Sequence, residues 1–465
     1  MKIMKKTTLL IFLFLFAIKG NAQCWKSISA SPKNTIAIKM DGTLWAWGDS
    51  VLTGSGTGSK STPYQIGTAT NWQTVSAGNS HALAIKTDGT LWAWGFNLSG
   101  EFGNGASNTF SILPIQIGTE TNWSKIATAY QSSKAIKTDG TLWAWGYNGG
   151  QFGDGTTVNK LIPTQIGIDT NWSSISFKNY NLTYDFTLAL KTDGTLWAWG
   201  KNNDGQLGDG TIINKYVPMQ IGTDANWFSI NTGGTHSLAI KTNGTLWAWG
   251  SNNYGELGDG TTVSKLIPTQ IDISTRWTSI YAGNGFSVAT KTGGALLAWG
   301  VNTSGQLGDG TYTSQSLPIV LLTTAAAVQT VAVSYSHTLI EGDTGAFSWG
   351  VNTIGQLGDG TTVNKNIPTA IACPTSVLKN ESFMVENGFS IFPNPNHGSF
   401  FIKANNGSEP IEGIKIYSLQ GKLLFTKKIT STNEEIKTTG ISSGVYLLNI
   451  ESKNGVSSNQ KIAIQ

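Results

Sequence analysis

The sequence predicts an all-β protein: a seven-bladed β-propeller followed by a small β-sandwich. Three observations carry that expectation. A stretch typified by Gly244-Thr245-Leu246-Trp247-Ala248-Trp249-Gly250 recurs seven times, its last glycine falling at Gly48, Gly95, Gly146, Gly200, Gly250, Gly300 and Gly350. Around each copy lie four short strand-like pieces, and four strands in each ~50-residue repeat describe a propeller blade better than a solenoid coil. Charged residues make up 12% of the chain while glycine numbers 56, as expected of turn-rich β structure.

Residues 1–22 read as a secretory signal peptide. Lysines come first, then the apolar run from Leu9 to Ile18, then the small residues Gly20 and Ala22 before a cut near Gln23. The apolar run is too short to cross a bilayer comfortably, so no transmembrane span is expected in the mature chain. Lipidation of Cys24 is the alternative, and Gln23 immediately before it fits a lipoprotein cleavage site poorly. Lys2, Lys5, Lys6 and Lys19 leave with the leader, which takes the balance to 27 basic against 27 acidic residues. No basic stripe remains to argue for nucleic acid or an anionic membrane.

Residues 23–373 hold the seven repeats. Each unit opens with a Trp-x-x-Ile strand, as in Trp227-Phe228-Ser229-Ile230, and continues with a strand like His236-Ser237-Leu238-Ala239-Ile240-Lys241. The Trp-x-Trp-Gly strand comes third. Its alternation puts Trp247 and Trp249 on one face and Leu246 and Ala248 on the other, so a bulky face and a shallow face can stack blade upon blade. A glycine-rich loop such as Gly255-Glu256-Leu257-Gly258-Asp259-Gly260 follows, then a Pro-x-x-Ile strand suited to a sheet edge, because proline has no N–H to donate. Twelve tryptophans lie in the third strands and six open the first strands, which uses all 18. Every tryptophan is thereby a framework residue, and none is left over as a ligand platform.

The motifs Gly-x-x-Gly-Gln-Leu-Gly-Asp-Gly, Ala-Gly-x-x-His-x-Leu-Ala-Ile and Leu-Trp-Ala-Trp-Gly, recurring in fixed order over three quarters of the chain, resemble regulator-of-chromosome-condensation repeats. The resemblance implies a seven-bladed propeller that recognises proteins with one of its faces. The signal peptide sets aside the nuclear exchange-factor role of that family's best-known member.

Residues 374–388 read as a linker, and from 389 to 465 the texture changes to short alternating strands about ten residues apart, as in a small β-sandwich. The motif residues Pro393, Asn394, Pro395, Gly398, Gly421, Lys422, Gly444 and Tyr446, ahead of the terminal Lys461-Ile462-Ala463-Ile464-Gln465, resemble the C-terminal sorting domain of type IX secretion cargo. That resemblance implies export to the outer-membrane surface, or release, in a Bacteroidetes-like bacterium, with the secretion machinery as a partner.

Candidate chemistry is sparse. The glycine-rich loops lack the Lys-Ser/Thr of a P-loop, and Asp154, Asp209, Asp259, Asp309 and Asp359, one per unit, read as caps of their own turns rather than as calcium ligands. His81, His236 and His337 share one repeat position and sit a blade or more apart, so they are read as structural and not as a metal set. No cofactor or metal is expected.

Cys24 and Cys373, the two cysteines, flank the repeat array at equivalent ends of one broken connection, and oxidising export favours a disulfide between them. In the fourth unit the connection between the first two strands is five residues longer than usual and reads Phe177-Lys178-Asn179-Tyr180-Asn181-Leu182-Thr183-Tyr184-Asp185. Loops on rigid scaffolds concentrate recognition, so Tyr180 and Tyr184, with Tyr130 in the preceding unit, are the candidate ligand contacts. The same loop would also serve as a plug between blades. Phe96, Tyr147, Lys201 and Ser251, which follow Trp-Gly, are expected at the opposite mouth. The function expected is a non-enzymatic, secreted or cell-surface binder of an extracellular protein or polysaccharide. The alternative is a hydrolase or lyase with its site in the channel.

Overall fold

A computed structural model describes residues 23–56, 58–178, 185–322, 328–374 and most of 389–464. The chain divides between Cys373 and Pro374 into two compact units.

In the first unit, seven four-stranded antiparallel sheets follow one another along the chain. Blade 5 shows the pattern: Trp227–Thr232, His236–Lys241, Leu246–Gly250 and Lys265–Asp272 lie in that order across the sheet. The first strand of each blade packs against the first strands of its neighbours, which puts it innermost. The fourth strand, with Pro163, Pro218 or Pro268 in it, is the outer edge, where a missing N–H costs no ladder bond.

The alternation expected for the third strand decides how blades stack. Ile36, Ile38, Leu44 and Ala46 on the shallow face of blade 1 form one core with Trp72, Ala84 and Trp94 on the bulky face of blade 2. Alanine opposite each first-of-pair tryptophan, as in Ala239 paired with Trp247, leaves room for the indole. The second tryptophans, Trp47 through Trp349, are fully buried.

Each glycine-rich loop locks onto the next blade. The Gln206 carbonyl accepts the Trp249 indole N–H at 2.9 Å and the Ser237 hydroxyl at 2.8 Å, and the Glu256 carbonyl accepts Trp299 and Ser287 in the same way, each at 2.8 Å. Glycine is required at this joint: Gly258 has φ +80°, and a Cβ there would lie 2.7 Å from the Trp299 indole nitrogen. On the solvent side, Trp143 donates to Thr141, Thr141 donates to Asp139, and the Lys137 ammonium sits 3.7 Å from the Trp143 ring centre. That chain of contacts accounts for the recurring Lys-Thr-Asp-Gly-Thr-Leu-Trp.

Closure of the ring uses the same packing, since Ala332, Leu339 and Ala346 of blade 7 share a core with Trp25, Trp45 and Trp47 of blade 1. No sheet among the described residues mixes strands from the two ends of the array. The seam is instead held by the Cys24–Cys373 disulfide, with Cα atoms 5.8 Å apart, and by contacts around it. The Gly360 N–H donates to the Ser61 carbonyl at 2.8 Å and the Thr35 hydroxyl to the Gln356 carbonyl at 2.9 Å.

The second unit is a β-sandwich. Phe389–Phe392, Ser399–Ala404 and Glu435–Lys437 make one sheet, and Leu423–Lys428, Ile411–Tyr417, Gly444–Ser452 and Ser457–Ile464 the other. Phe400, Ile402 and Ile436 from the first sheet and Ile414, Ile416, Leu448, Ile450 and Ile462 from the second form one core.

Candidate functional site

Strand direction settles which loops share a mouth. The first and third strands of a blade run the same way, so the turn after the first strand and the loop after Trp-Gly emerge on one face. The backbone records it: Tyr147 N–H donates to the Gln131 carbonyl at 2.8 Å, Phe96 to Ser80 at 2.8 Å, Lys201 to Asp185 at 3.0 Å and Ser251 to Thr235 at 3.0 Å. The expectation that Phe96, Tyr147, Lys201 and Ser251 occupy the opposite mouth is therefore corrected. They lie beside the candidate loops and join them in a single loop face.

On that face Tyr130 is partly exposed at the tip of the blade 3 turn, next to the Gln131–Tyr147 bond. Tyr335, 44% exposed, occupies the matching position in blade 7, two residues before His337 as Tyr130 is two before Ser132. Tyr254 of blade 5 is 54% exposed. Sequence reasoning missed both, although aligning the seventh unit on the third would have found Tyr335. Tyr180 and Tyr184 lie outside the described residues.

The two ends of the enlarged loop turn inward. Phe177 is buried against Ala127 and Ala129, so this part of the loop plugs a gap between blades 3 and 4. Asp185 is 2% exposed, and its Oδ2 accepts the Gln151 side-chain amide at 3.3 Å. Burial pushes the Asp185 carboxyl up to about 7 against the pull of Lys134 and Lys201. Lys134 was also missed. It stands where the other blades place Ile36, Leu83, Leu188, Leu238, Val288 and Leu339, and it is fully buried. Its ammonium donates to the Gln151 carbonyl and the Thr187 hydroxyl and lies 4.4 Å from the Phe177 ring centre. Burial holds its pKa well below the ordinary lysine value.

The three aligned histidines are fully buried, and burial lowers each to about 3, so they are neutral. His81 and His236 reach the Ser133 and Ser287 hydroxyls of the next blade at 3.0 and 2.9 Å, and His337 meets the Thr35 hydroxyl of the next blade at 3.5 Å and Ser334 of its own blade at 2.6 Å. The His81–Ser133 pair has the spacing of a base and a nucleophile. Both groups are inaccessible, however, and Ser133 donates its proton to the Glu101 carbonyl at 2.8 Å. Among the described residues no three His, Cys, Asp or Glu side chains gather as a metal set. The loop aspartates cap their own turns: Asp209 Oδ1 accepts the Thr211 N–H at 2.9 Å and its hydroxyl at 2.8 Å.

In the second unit, Gly398 donates to the Asn396 side chain at 3.0 Å, and its carbonyl accepts from Thr438 at 2.8 Å. The Tyr446 hydroxyl donates to the Ser442 carbonyl at 2.7 Å, Gly444 pairs with Ile464, and Lys422 is exposed beside Ser418. The Asn396 N–H donates to the Ala463 carbonyl at 2.9 Å, which ties the last strand to the residues just after the Pro-Asn-Pro stretch. Pro393, Asn394, Pro395 and Gly421 lie outside the described residues.

Comparison with known proteins agrees with this geometry. The regulator of chromosome condensation (RCC1) repeat matches residues 193–240, 243–290, 293–340 and 343–384, and a second description of the same repeat matches 72–101 and 229–256. The chain carries RCC1 repeats. A secretion system C-terminal sorting domain matches residues 390–465. RUG3, a mitochondrial RCC1 domain-containing protein of Arabidopsis thaliana, is 28% identical over 120 residues, which is 24% of this chain and 27% of that relative. Among solved structures, human WBSCR16 superposes with a TM-score of 0.61 at 21% identity, covering 69% of this chain and 87% of that one. Prp20p of Saccharomyces cerevisiae, described for its binding properties to Gsp1p and histones, gives 0.62 at 20% identity, covering 77% and 89%. These likenesses show the RCC1 propeller fold, and the sorting domain marks the chain as an exported propeller protein.

Proposed function

We propose that this RCC1-repeat propeller is displayed on, or released from, the surface of a Bacteroidetes-like bacterium, and that it binds an extracellular protein or polysaccharide without catalysing a reaction. The observation that carries the reading is the set of aromatics on one rigid face, Tyr254 and Tyr335 exposed and Tyr130 partly exposed, held over buried blade joints. Tyrosine offers broad contact area and a hydroxyl at low entropic cost, and a preformed face loses little order on binding. Tyr180 and Tyr184, in the enlarged loop of blade 4, belong to the same proposed contact set. The second unit is the address read by the secretion machinery, with removal in residues 374–388.

The test is a screen of the full mature chain against a glycan array and against extracellular proteins, followed by Tyr130→Ala and Tyr335→Ala. Either change is expected to weaken the bound partner by about 2 kcal/mol without moving the melting temperature. Unchanged affinity in both variants would place recognition elsewhere, and turnover of a glycan or peptide would favour the enzyme reading.

A further inference from the structure

Blade 2 departs from the repeat at its outer rim. In blades 3 to 7 the residue four before the fourth-strand proline caps the loop after Trp-Gly. Asn159, Asn214 and Asn364 accept the N–H of Asn148, Asn202 and Asn352 at 2.9, 2.9 and 2.8 Å, and Ser264 and Ser314 accept those of Asn252 and Asn302 at 3.2 Å. In blade 2 that column holds Phe110, and the backbone ladder takes over the capping. It runs on past Gly95 to pair Phe96 with Phe110 and Asn97 with Thr109, and the fourth strand lengthens to nine residues, Thr109–Ile117. The Phe110 ring is thereby released to the surface, 68% exposed, with its centre 6.4 Å from that of Phe96.

The backbone of this edge is open to a further strand. The Phe96 N–H is spent on the Ser80 carbonyl of the second strand at 2.8 Å, so Phe96 and Phe110 face each other without sharing hydrogen bonds, and the N–H and C=O of Phe110 turn outward. Elsewhere a glycine N–H of the preceding blade ties down the fourth strand, as Gly105, Gly155 and Gly360 bind the carbonyls of Leu161, Tyr216 and Ser61 at 2.9, 2.8 and 2.8 Å. The loop of blade 1 is folded into the short helix Ser50–Thr53, and among the described residues none of its N–H groups binds the matching Ile112 carbonyl. Charge is missing too. The Asp154–Lys160 and Asp209–Lys215 pairs of other blades are replaced here by Asn104 and Ser111. From Phe96 to Ile117 the one charged residue is Glu101, 1% exposed. The lysine that ordinarily guards an edge strand is therefore absent.

Phe96, Leu98 and Ile112 add exposures of 37, 45 and 40%. With Phe110 they offer roughly 400 Å² of apolar surface, within the range of functional patches on monomers. Each partner of a stable protein pair buries about twice that area, so the patch is too small for a second folded copy. A strand of about five residues covers it. A polysaccharide would find no hydroxyl, amide or charge among the four side chains.

We propose that the rim of blade 2 is a docking edge for an extended, uncharged segment of an extracellular protein. The segment adds as a fifth strand beside Thr109–Ile117, bonds the outward backbone groups of Phe110, and seats an apolar side chain against Phe96, Leu98 and Phe110. None of the loop-face tyrosines belongs to blade 2, so the site stands without them.

Panning phage-displayed random peptides on the full mature chain, then titrating the selected peptides by fluorescence anisotropy, tests the proposal. The expected peptides are uncharged, with apolar residues at alternate positions. Phe110→Asn, which restores the residue of the repeat, is expected to weaken them about tenfold or more, and Tyr335→Ala to leave them unchanged. Methylating the peptide nitrogens one at a time is expected to abolish binding at alternate positions only, because every second N–H faces the edge. Leu98→Asn supplies a second reading should Phe110→Asn not fold. Selection of no such peptide, unchanged binding by the folded variants, or indifference to methylation would overturn the proposal. So would a dimer of the parent chain that Phe110→Asn dissolves in sedimentation, which would assign the edge to a second copy. A glycan-array signal lost in the same variant would overturn it in favour of a polysaccharide.

Discussion

The Glu341 carboxylate accepts the backbone N–H of Cys24 at 2.6 Å across the seam of the ring. The same oxygen meets the Trp25 N–H at 3.4 Å. In other blades the N–H of the opening tryptophan donates to a turn glycine of the preceding blade, as Trp227 does to Gly194 and Trp277 to Gly244, each at 3.1 Å. Blade 7 has a tighter turn, in which Gly342 pairs directly with Gly345, and Glu341 supplies the missing acceptor. The ring is closed by a carboxylate beside a disulfide, with no exchanged strand.

Two variants separate those latches. Replacing both Cys24 and Cys373 with serine frees a loop of 349 residues in sequence separation, and is expected to lower stability by at most about 6 kcal/mol, the chain-entropy limit. Glu341→Ala leaves two buried N–H groups without an acceptor and is expected to cost about 1–3 kcal/mol. Urea unfolding of the oxidised proteins measures both. A Glu341→Ala variant as stable as the parent would remove the carboxylate from the closure.

Lys134 fills a core position that six other blades give to an aliphatic residue. Its acceptors have other donors, since Trp199 also donates to the Gln151 carbonyl at 2.8 Å. Lys134→Leu is therefore expected to be neutral or to stabilise the ring by about 1–4 kcal/mol. Lys134→Ala is expected to destabilise it by about 2–5 kcal/mol through the cavity it leaves. Thermal melts of the two variants check the opposite signs, and equal losses from both would mean the ammonium itself is needed.

Glu101 takes the loop position that Gln151, Gln206, Gln306 and Gln356 hold in other blades. It is 1% exposed, and burial raises it to about 7, partly offset by backbone N–H groups such as that of Ser99. A folded pKa above the unfolded value means that its stabilising share is complete below pH ~4.5 and is lost as the pH rises through about 7. Glu101→Gln is expected to match the parent chain near pH 4.5 and to exceed it at pH 8. Unfolding midpoints at the two pH values provide the check, and a gain confined to acid would contradict the sign.

Much of this was legible in the residues. The Trp-x-Trp-Gly spacing gave the blades, because a repeated indole must meet a repeated shallow face. Cys24 and Cys373 were legible as a pair, because continuing the repeat frame brings its two ends together. The loop face was less legible: the first and third strands of an antiparallel blade share a direction, a parity that puts Tyr147 and Phe96 beside the first turns but that no residue within either loop records. Glu341 and Lys134 were hidden for a different reason. A lone charged residue in a strand reads as solvent-facing until its column in the repeat is compared, where the neighbours are Ile38, Ile85 and Ile240 for the one and Leu83 and Leu238 for the other.

The central claim is that the ring is a self-contained cargo and the sandwich its export address. Deleting residues 389–465, then fractionating cells and counting free thiols in the propeller, tests it most directly. The account predicts a folded, oxidised propeller with no free thiol, retained in the periplasm. Normal surface display or release of the deleted chain would contradict it.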